Sequence, residues 1–225
     1  MRVLSAIQPS FFPWRGYIDM VRKSDVFIFY DHVQYDKNGW RNRNKIIINK
    51  KPKWITVPIK KEKLSKKIKD VKLIESEKYL KKIYDTFYFN YKNHPNFKEI
   101  IKIIEDIFFS QKWNFLSDLN IKITKEICKY FKINTEFKIS SELDIVDDKN
   151  LNLINLCKKF NCEGYLSGIT AKNYVDTKLF KEHNIKVIWN DFKDFPYVQY
   201  KIENIFYEKL SMIDYMFNVK DKNYD

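Results

Sequence analysis

The first third of the chain carries its apolar residues in short runs, each closed by turn residues. Val3-Leu4-Ser5-Ala6-Ile7 runs into Gln8-Pro9, and Val26-Phe27-Ile28-Phe29-Tyr30 runs into Asp31. Runs of this length, rich in branched and aromatic side chains, predict buried strands over residues 3–8 and 26–30. Pro9 and Pro13 bracket a rigid aromatic turn, and residues 16–22 predict the opening of a helix. Residues 46–48 and 53–59 predict two further strands around Asn49-Lys50-Lys51-Pro52, with Pro58 marking a strand end or edge, and residues 71–74 a brief fifth.

From residue 79 the apolar spacing changes to three and four. Residues 79–91, 97–109 and 113–131 predict amphipathic helices, and Asn93-His94-Pro95 separates the first two. Leu119, Ile123, Ile127 and Phe131 form one stripe, which reads as helix core rather than a cofactor contact. After the polar turn Ser140-Ser141-Glu142-Leu143, the pattern predicts a helix at 151–160, a strand at 163–166, a helix at 170–181, a strand at 186–189 and a terminal helix at 210–217. Strands, then helices, then a return to alternating units predict an α/β fold, a Rossmann-like parallel-sheet core with a helical insert or cap. The matching division is a basic amino-terminal part of the core with its motif loops (1–76), a helical insert (77–140), and the carboxy-terminal part of the core with the last helix (141–225).

Composition removes several function classes. With 44% hydrophobic residues, including 18 Phe, 15 Tyr and 5 Trp, the chain is not disordered. Four glycines leave no Gly-rich phosphate loop of either common pattern. No apolar run is long enough to span a bilayer, and the opening seven residues are too short for a signal peptide, so a cytoplasmic location is expected. Cys128, Cys157 and Cys162 lack metal-site spacing, and an odd count disfavours a disulfide framework. The three histidines are scattered, so no metal site is expected.

The charge is uneven. The net is +13, and residues 1–72 hold 18 Lys and Arg against 6 Asp and Glu. A basic third suits an anionic partner: a nucleotide, a nucleic acid or an anionic membrane surface. The plainer alternative is a lysine-rich solvated surface, and the run from Lys60 to Lys67 has the look of a mobile loop. All five arginines (Arg2, Arg15, Arg22, Arg41, Arg43) lie in the first 43 residues, whereas 37 lysines run the whole length. Arginine kept against such a background marks places that need a rigid multi-donor cation.

Three segments hold the candidate chemistry. In the first, Gln8 to Tyr17, a strand gives way to a helix whose free N–H groups and Arg15 could take an anion, while Gln8 orients a base or amide. Packing of Pro13, Trp14 and Tyr17 is the alternative. In the second, Asp31 to Asn44, Asp31 and His32 form a candidate acid/base pair; Arg41 and Arg43 alternate, as two residues gripping one phosphate or carboxylate would. Asn42 and Asn44 then face the other way, and a structural Asp–Arg pair is the alternative. In the third, Ser167-Gly168 makes a turn, Thr170 caps a helix, and Lys172 in its first turn calls for a facing anion. Ser167 lacks the setting of a covalent nucleophile.

These segments resemble the WbqC-like protein family over almost the full length. The resemblance rests on Ala6-Ile7-Gln8-Pro9, Phe12-Pro13-Trp14, Gly16-Tyr17, Asp25-Val26-Phe27, Tyr30-Asp31, Val33-Gln34-Tyr35 and Trp40-Arg41-Asn42-Arg43-Asn44. It continues through Trp54-Ile55-Thr56-Val57-Pro58, Tyr165-Leu166-Ser167-Gly168, Ala171-Lys172, Tyr174 and Leu210-Ser211-Met212-Ile213-Asp214. It implies a cytoplasmic enzyme modifying an activated sugar in bacterial surface-polysaccharide (O-antigen) biosynthesis. At position 32 many relatives carry a second aspartate, which counts against His32 as an indispensable base. A weaker resemblance links Phe11 to Tyr17 and Leu166-Ser167-Gly168-Ile169-Thr170 to the H-x-G-H nucleotidyltransferase superfamily. Both signature histidines are missing, which puts that chemistry in doubt.

The leading expectation is a transferase moving an acyl or aminoacyl group to a nucleotide-linked amino sugar. Asp31 accepts the proton; His32, Tyr35, Gln8 and Asn42 position the reactants; Tyr17, Gln34, Ser167 and Gly168 contact substrate; Arg15, Arg41, Arg43 and Lys172 hold the anion. The donor would be an acyl-CoA or an aminoacyl-tRNA. Alternatives are a nucleotidyltransferase-like enzyme using NTP with Mg2+, and a nucleic-acid-binding protein with Trp14, Tyr35 and Trp40 as stacking platforms. Surface aromatics would also suit a homodimer.

Overall fold

The computed structural model describes residues 1–37, 39–61, 66–145 and 148–222. Its elements in chain order are β1 (Val3–Ile7), α1 (Arg15–Arg22), β2 (Val26–Phe29), β3 (Arg43–Ile48), β4 (Lys51–Thr56), α2 (Ser76–Tyr91), α3 (Phe97–Phe109) and α4 (Leu116–Tyr130). Then follow β5 (Glu136–Ile139), α5 (Lys149–Lys159), β6 (Gly164–Gly168), α6 (Thr177–Glu182), β7 (Lys186–Asn190) and α7 (Met212–Asn218). Five strands form one parallel sheet in the order β5-β2-β1-β6-β7, and β3 and β4 form a separate antiparallel hairpin. The order is Rossmann-like: the chain builds outward from β1 on one side, then returns to β1 and builds outward on the other. The reversal between β1 and β6 opens a crevice at the carboxyl ends of those strands.

β2 shows why the sheet strands read as unbroken apolar runs. Its side chains alternate, Phe27 and Phe29 entering one core and Val26 and Ile28 the other. The first core includes α1, the α2–α4 helices and α7; the second includes α5 and α6. Both faces are therefore covered.

Several elements depart from the sequence expectation. Residues 71–74 are not a strand: a short turn at Ile68–Asp70 is followed by isolated bridges from Lys72 to Phe115 and from Leu73 to Ile59. The helix expected at 170–181 divides, because Ile169–Asn173 is one tight turn and α6 starts anew at Thr177. The Asp176 carboxylate accepts from the Lys178 and Leu179 N–H groups, so the cap is Asp176 and not Thr170. β5 went unforeseen because four residues alternating charged and apolar give too little pattern. The hairpin turn is two residues, Asn49 and Lys50, both at positive φ, as the primed turns of hairpins require. Residues 62–65 of the basic loop lie outside the described residues. All three cysteines are free and buried. No described helix is long and apolar enough to cross a membrane.

Arg15 is the largest fully buried side chain, 1% exposed. Its Nη1 donates to Asp194 Oδ1 at 2.6 Å and to the Phe195 carbonyl at 2.7 Å. Its guanidinium lies 3.7 Å from the Phe195 ring centroid and 4.6 Å from that of Tyr215. Asp194 also accepts from the Lys209 N–H. One ion pair thus pins the irregular stretch between β7 and α7 onto α1. Removing one partner leaves a buried charge alone. Arg15→Ala is expected to lower stability by about 3–5 kcal/mol, and Arg15→Met with Asp194→Leu by much less, as read by urea denaturation.

Candidate functional site

A cavity of about 1080 Å³ occupies the crevice. Gln8 follows β1, Tyr30 and His32 follow β2, Ser140 and Ser141 follow β5, and Ser167 and Gly168 end β6; all line it. Trp14, Gly16 and Tyr17 contribute from the start of α1, and Asn150 and Asn152 from α5. The β1–α1 loop is shaped by Phe12, which takes a left-handed φ of 41°. That strain persists because Asn44 Nδ2 and the Ser211 hydroxyl both donate to the Phe12 carbonyl, at 2.6 and 2.7 Å, and the ring packs edge-on against Phe11, Phe87 and Phe108.

The carboxylate of Asp31 is buried behind the cavity wall. Oδ1 accepts from the Ser140 hydroxyl at 3.0 Å and the Ser141 N–H at 2.9 Å; Oδ2 accepts from the Ser141 hydroxyl at 2.9 Å and the Ser117 hydroxyl at 3.4 Å. The ends of β2 and β5 and the start of α4 meet on this one side chain. The Ser140 oxygen also accepts from the Asp31 N–H at 2.9 Å and lies 2.7 Å from His32 Nδ1. A hydroxyl has one proton; with it assigned to the carboxylate, His32 Nδ1 is the donor and Nε2 the unprotonated nitrogen. Burial outweighs the nearby Asp31 charge and lowers the His32 pKa from 6.5, so the ring is neutral near pH 7. The ring of Tyr30 sits edge-on to it at 4.4 Å, and its phenol accepts from Asn152 at 2.7 Å. Asp31, Ser140 and His32 form a line that ends in a base on the cavity wall.

Cations meet the same cavity. Arg41 lines it while its Nε donates to Asp36 and its Nη1 to the Gln8 carbonyl and the Ser10 hydroxyl. Lys67 and Lys69 approach from the segment after the hairpin. Among the described residues no group of three His, Cys, Asp or Glu side chains is placed to hold a metal ion.

Glycine placement adds a further constraint. Ten described residues at positive φ are all non-glycine, so this chain does not reserve its scarce glycines for left-handed turns. At Gly16 a Cβ would come within 2.3 Å of the Trp14 ring, which explains that glycine by packing. At Gly168 the φ is −70° and a Cβ would meet nothing within 4 Å. Neither backbone nor packing requires glycine there. What a side chain would enter is the open cavity.

The structure brings seven of the expected site residues to the cavity: Gln8, Tyr17, His32, Gln34, Arg41, Ser167 and Gly168. Asp31 sits behind His32. Tyr35 and Asn42 hold each other, hydroxyl to amide oxygen at 3.0 Å, and Asn42 donates on to the Val57 carbonyl. The Arg43 guanidinium stacks 4.5 Å from the Trp54 ring, so it does not share a ligand side with Arg41. Arg15 is engaged with Asp194, and Lys172 points along Trp189, 5.6 Å from its ring. Sequence reading passed over Ser140, Asn152, Lys67 and Lys69. Ser140 was visible only as part of a polar turn, since β5 was not recognised and its carboxyl end had no assigned place.

The description of the WbqC-like protein family matches residues 8–225. The chain is 35% identical over 221 residues to the uncharacterized protein Rv1507c of Mycobacterium tuberculosis, covering 97% of this chain and 94% of that one. No solved structure gives a significant match. The chain belongs to the WbqC-like protein family.

Ser140→Ala removes a donor from a buried carboxylate and the acceptor of His32 Nδ1–H. A stability loss of about 1–3 kcal/mol is expected in urea denaturation. Nitrogen NMR of the imidazole is expected to show Nδ1 protonated in the native protein and loss of that preference in the variant. An unchanged tautomer would show that Ser140 does not set it.

Proposed function

We propose that this member of the WbqC-like protein family is a transferase that moves an acyl or aminoacyl group onto the amine of a nucleotide-linked sugar. Membership of the family suggests a role in polysaccharide biosynthesis. The observation that carries the reaction type is the neutral His32, held through Ser140 by Asp31, with its ring lining a large cavity at the sheet's switch point. The sugar amine attacks the acyl carbonyl carbon. A C–N bond forms, the bond from that carbon to the thiol or ribose oxygen of the donor breaks, and His32 takes the amine proton and returns it to the leaving group. Asp31, expected to be the proton acceptor itself, acts here as a positioning residue, because its carboxylate already accepts from three hydroxyls and an N–H.

Arg41, Lys67 and Lys69 supply the charge for the diphosphate of a nucleotide sugar, and Gly168 allows that ligand close to the backbone. Gln8, Gln34, Tyr17 and Ser167 supply polar contacts to the rest. The nucleotidyltransferase-like reading shares the same anion site and rests on the turn from Ser167 to Thr170 facing the cavity. Its mark is pyrophosphate release that requires both NTP and Mg2+.

The test is turnover of UDP- or dTDP-amino sugars with acyl donors, followed by mass spectrometry of the sugar. His32→Gln is expected to lower kcat roughly 100- to 10,000-fold with sugar-nucleotide binding retained. Because the neutral ring is the active form and burial lowers its pKa, kcat should fall only as pH drops well below 6.5. A variant with wild-type turnover would remove His32 from the chemistry. Gly168→Ala should leave the melting temperature unchanged and weaken sugar-nucleotide binding about tenfold, one lost close approach being worth about 1.4 kcal/mol. Equal binding by calorimetry would show that the space at Gly168 is not used.

A further inference from the structure

No acidic residue occurs between Lys37 and Lys61, while nine Lys and Arg do. The β3–β4 hairpin lies within this stretch. Its register places Arg43, Lys45, Trp54 and Thr56 on one face and Asn44, Ile46 and Ile55 on the other. On the second, Asn44, Ile46 and Ile55 are buried. On the first, Trp54 remains 43% exposed, a large ring for a two-stranded arm to show to water. Lys45 Nζ lies 5.1 Å from the Trp54 ring centroid and the Arg43 guanidinium 4.5 Å. The turn also carries Lys50 at φ 62°, where glycine or asparagine is preferred, so charge sits at the tip despite the backbone cost.

At its other end this face continues into the cavity. The rings of Trp54 and Trp40 meet edge-on at 5.4 Å, and Trp40 lines the cavity wall.

We propose that the outer face of the β3–β4 hairpin binds single-stranded nucleic acid, with Trp54 stacking one unpaired base and Lys45 and the turn residue Lys50 taking the phosphates. The pairing of an exposed ring with flanking cations suits an unpaired strand: any base offers a π-face to Trp54, and the backbone brings regular negative charge. A duplex hides its bases from such a platform. A strand running along the hairpin would reach the cavity mouth at Trp40. The inference goes beyond the transferase reading and does not need it, since the hairpin face is distinct from His32 and its partners.

The test uses the full chain and a fluorescently labelled single-stranded RNA of about a dozen nucleotides, a length within the range of one such platform. Anisotropy titrations at several salt concentrations would be compared with the same sequence as a duplex and with vesicles containing phosphatidylglycerol. Expected are strand binding that weakens with salt, weaker duplex binding, and about a tenfold loss in Trp54→Ala at an unchanged melting temperature. Lys50→Glu, at the exposed turn, should weaken strand binding and flatten its salt dependence even if the Trp54 variant folds poorly. His32→Gln should bind the strand as the native protein does, which separates this result from any failure of the transferase reading. Absence of strand binding at low salt would overturn the proposal. So would binding unmoved by both hairpin variants, or vesicle binding alone.

Discussion

The carboxyl end of the sheet depends on one buried carboxylate. Asp31 follows β2 directly, and the three hydroxyls and the N–H it accepts come from the end of β5 and the start of α4. β2 and β5 are also paired by backbone hydrogen bonds, but those fix only register and spacing. The carboxylate fixes what comes after the strands, where the backbone would otherwise be free to choose its path. Its partner Ser140 then passes the constraint to His32. A burial this deep is tolerable for a charge only when every lone pair is engaged, and that requirement makes the position of His32 a consequence of folding.

Three of the five arginines have distinct uses, while Arg2 and Arg22 make ion pairs with Glu136 and Asp19. Arg15 holds an irregular strap to α1 within a ring of aromatic side chains, Arg43 stacks on Trp54, and Arg41 alone of the candidates lines the cavity. Each exploits a property that lysine lacks: a flat cation that stacks, or several donors at fixed angles. These three arginines mark rigid positions, and only one of them lines the cavity. Lys67 and Lys69, which carry no such sequence signal, take the remaining places at the cavity.

Much of the fold was legible because each sheet strand but one is a compact apolar run and each long helix repeats its apolar residues at three and four. β5 was not legible: Glu136-Phe137-Lys138-Ile139 is an edge strand of four residues, with Glu136 exposed and the other three only half-buried. Losing it concealed Ser140, and with Ser140 the reason His32 matters. Gln8, Ser167 and Gly168 were legible from strand ends, where α/β sheets place ligands. Tyr35 and Asn42 shared the polar motif but turn toward each other, a contact that sequence spacing does not reveal. The openness at Gly168 could not have been read from sequence at all, since it is a statement about what is missing around a residue.

A crystal structure of the protein grown with a UDP-amino sugar addresses the site as a whole. The account places the diphosphate between Gly168 and Arg41, and the sugar amine about 3 Å from His32 Nε2, within hydrogen-bond reach. A sugar nucleotide bound elsewhere, or bound in the crevice with its amine turned away from His32, would contradict it.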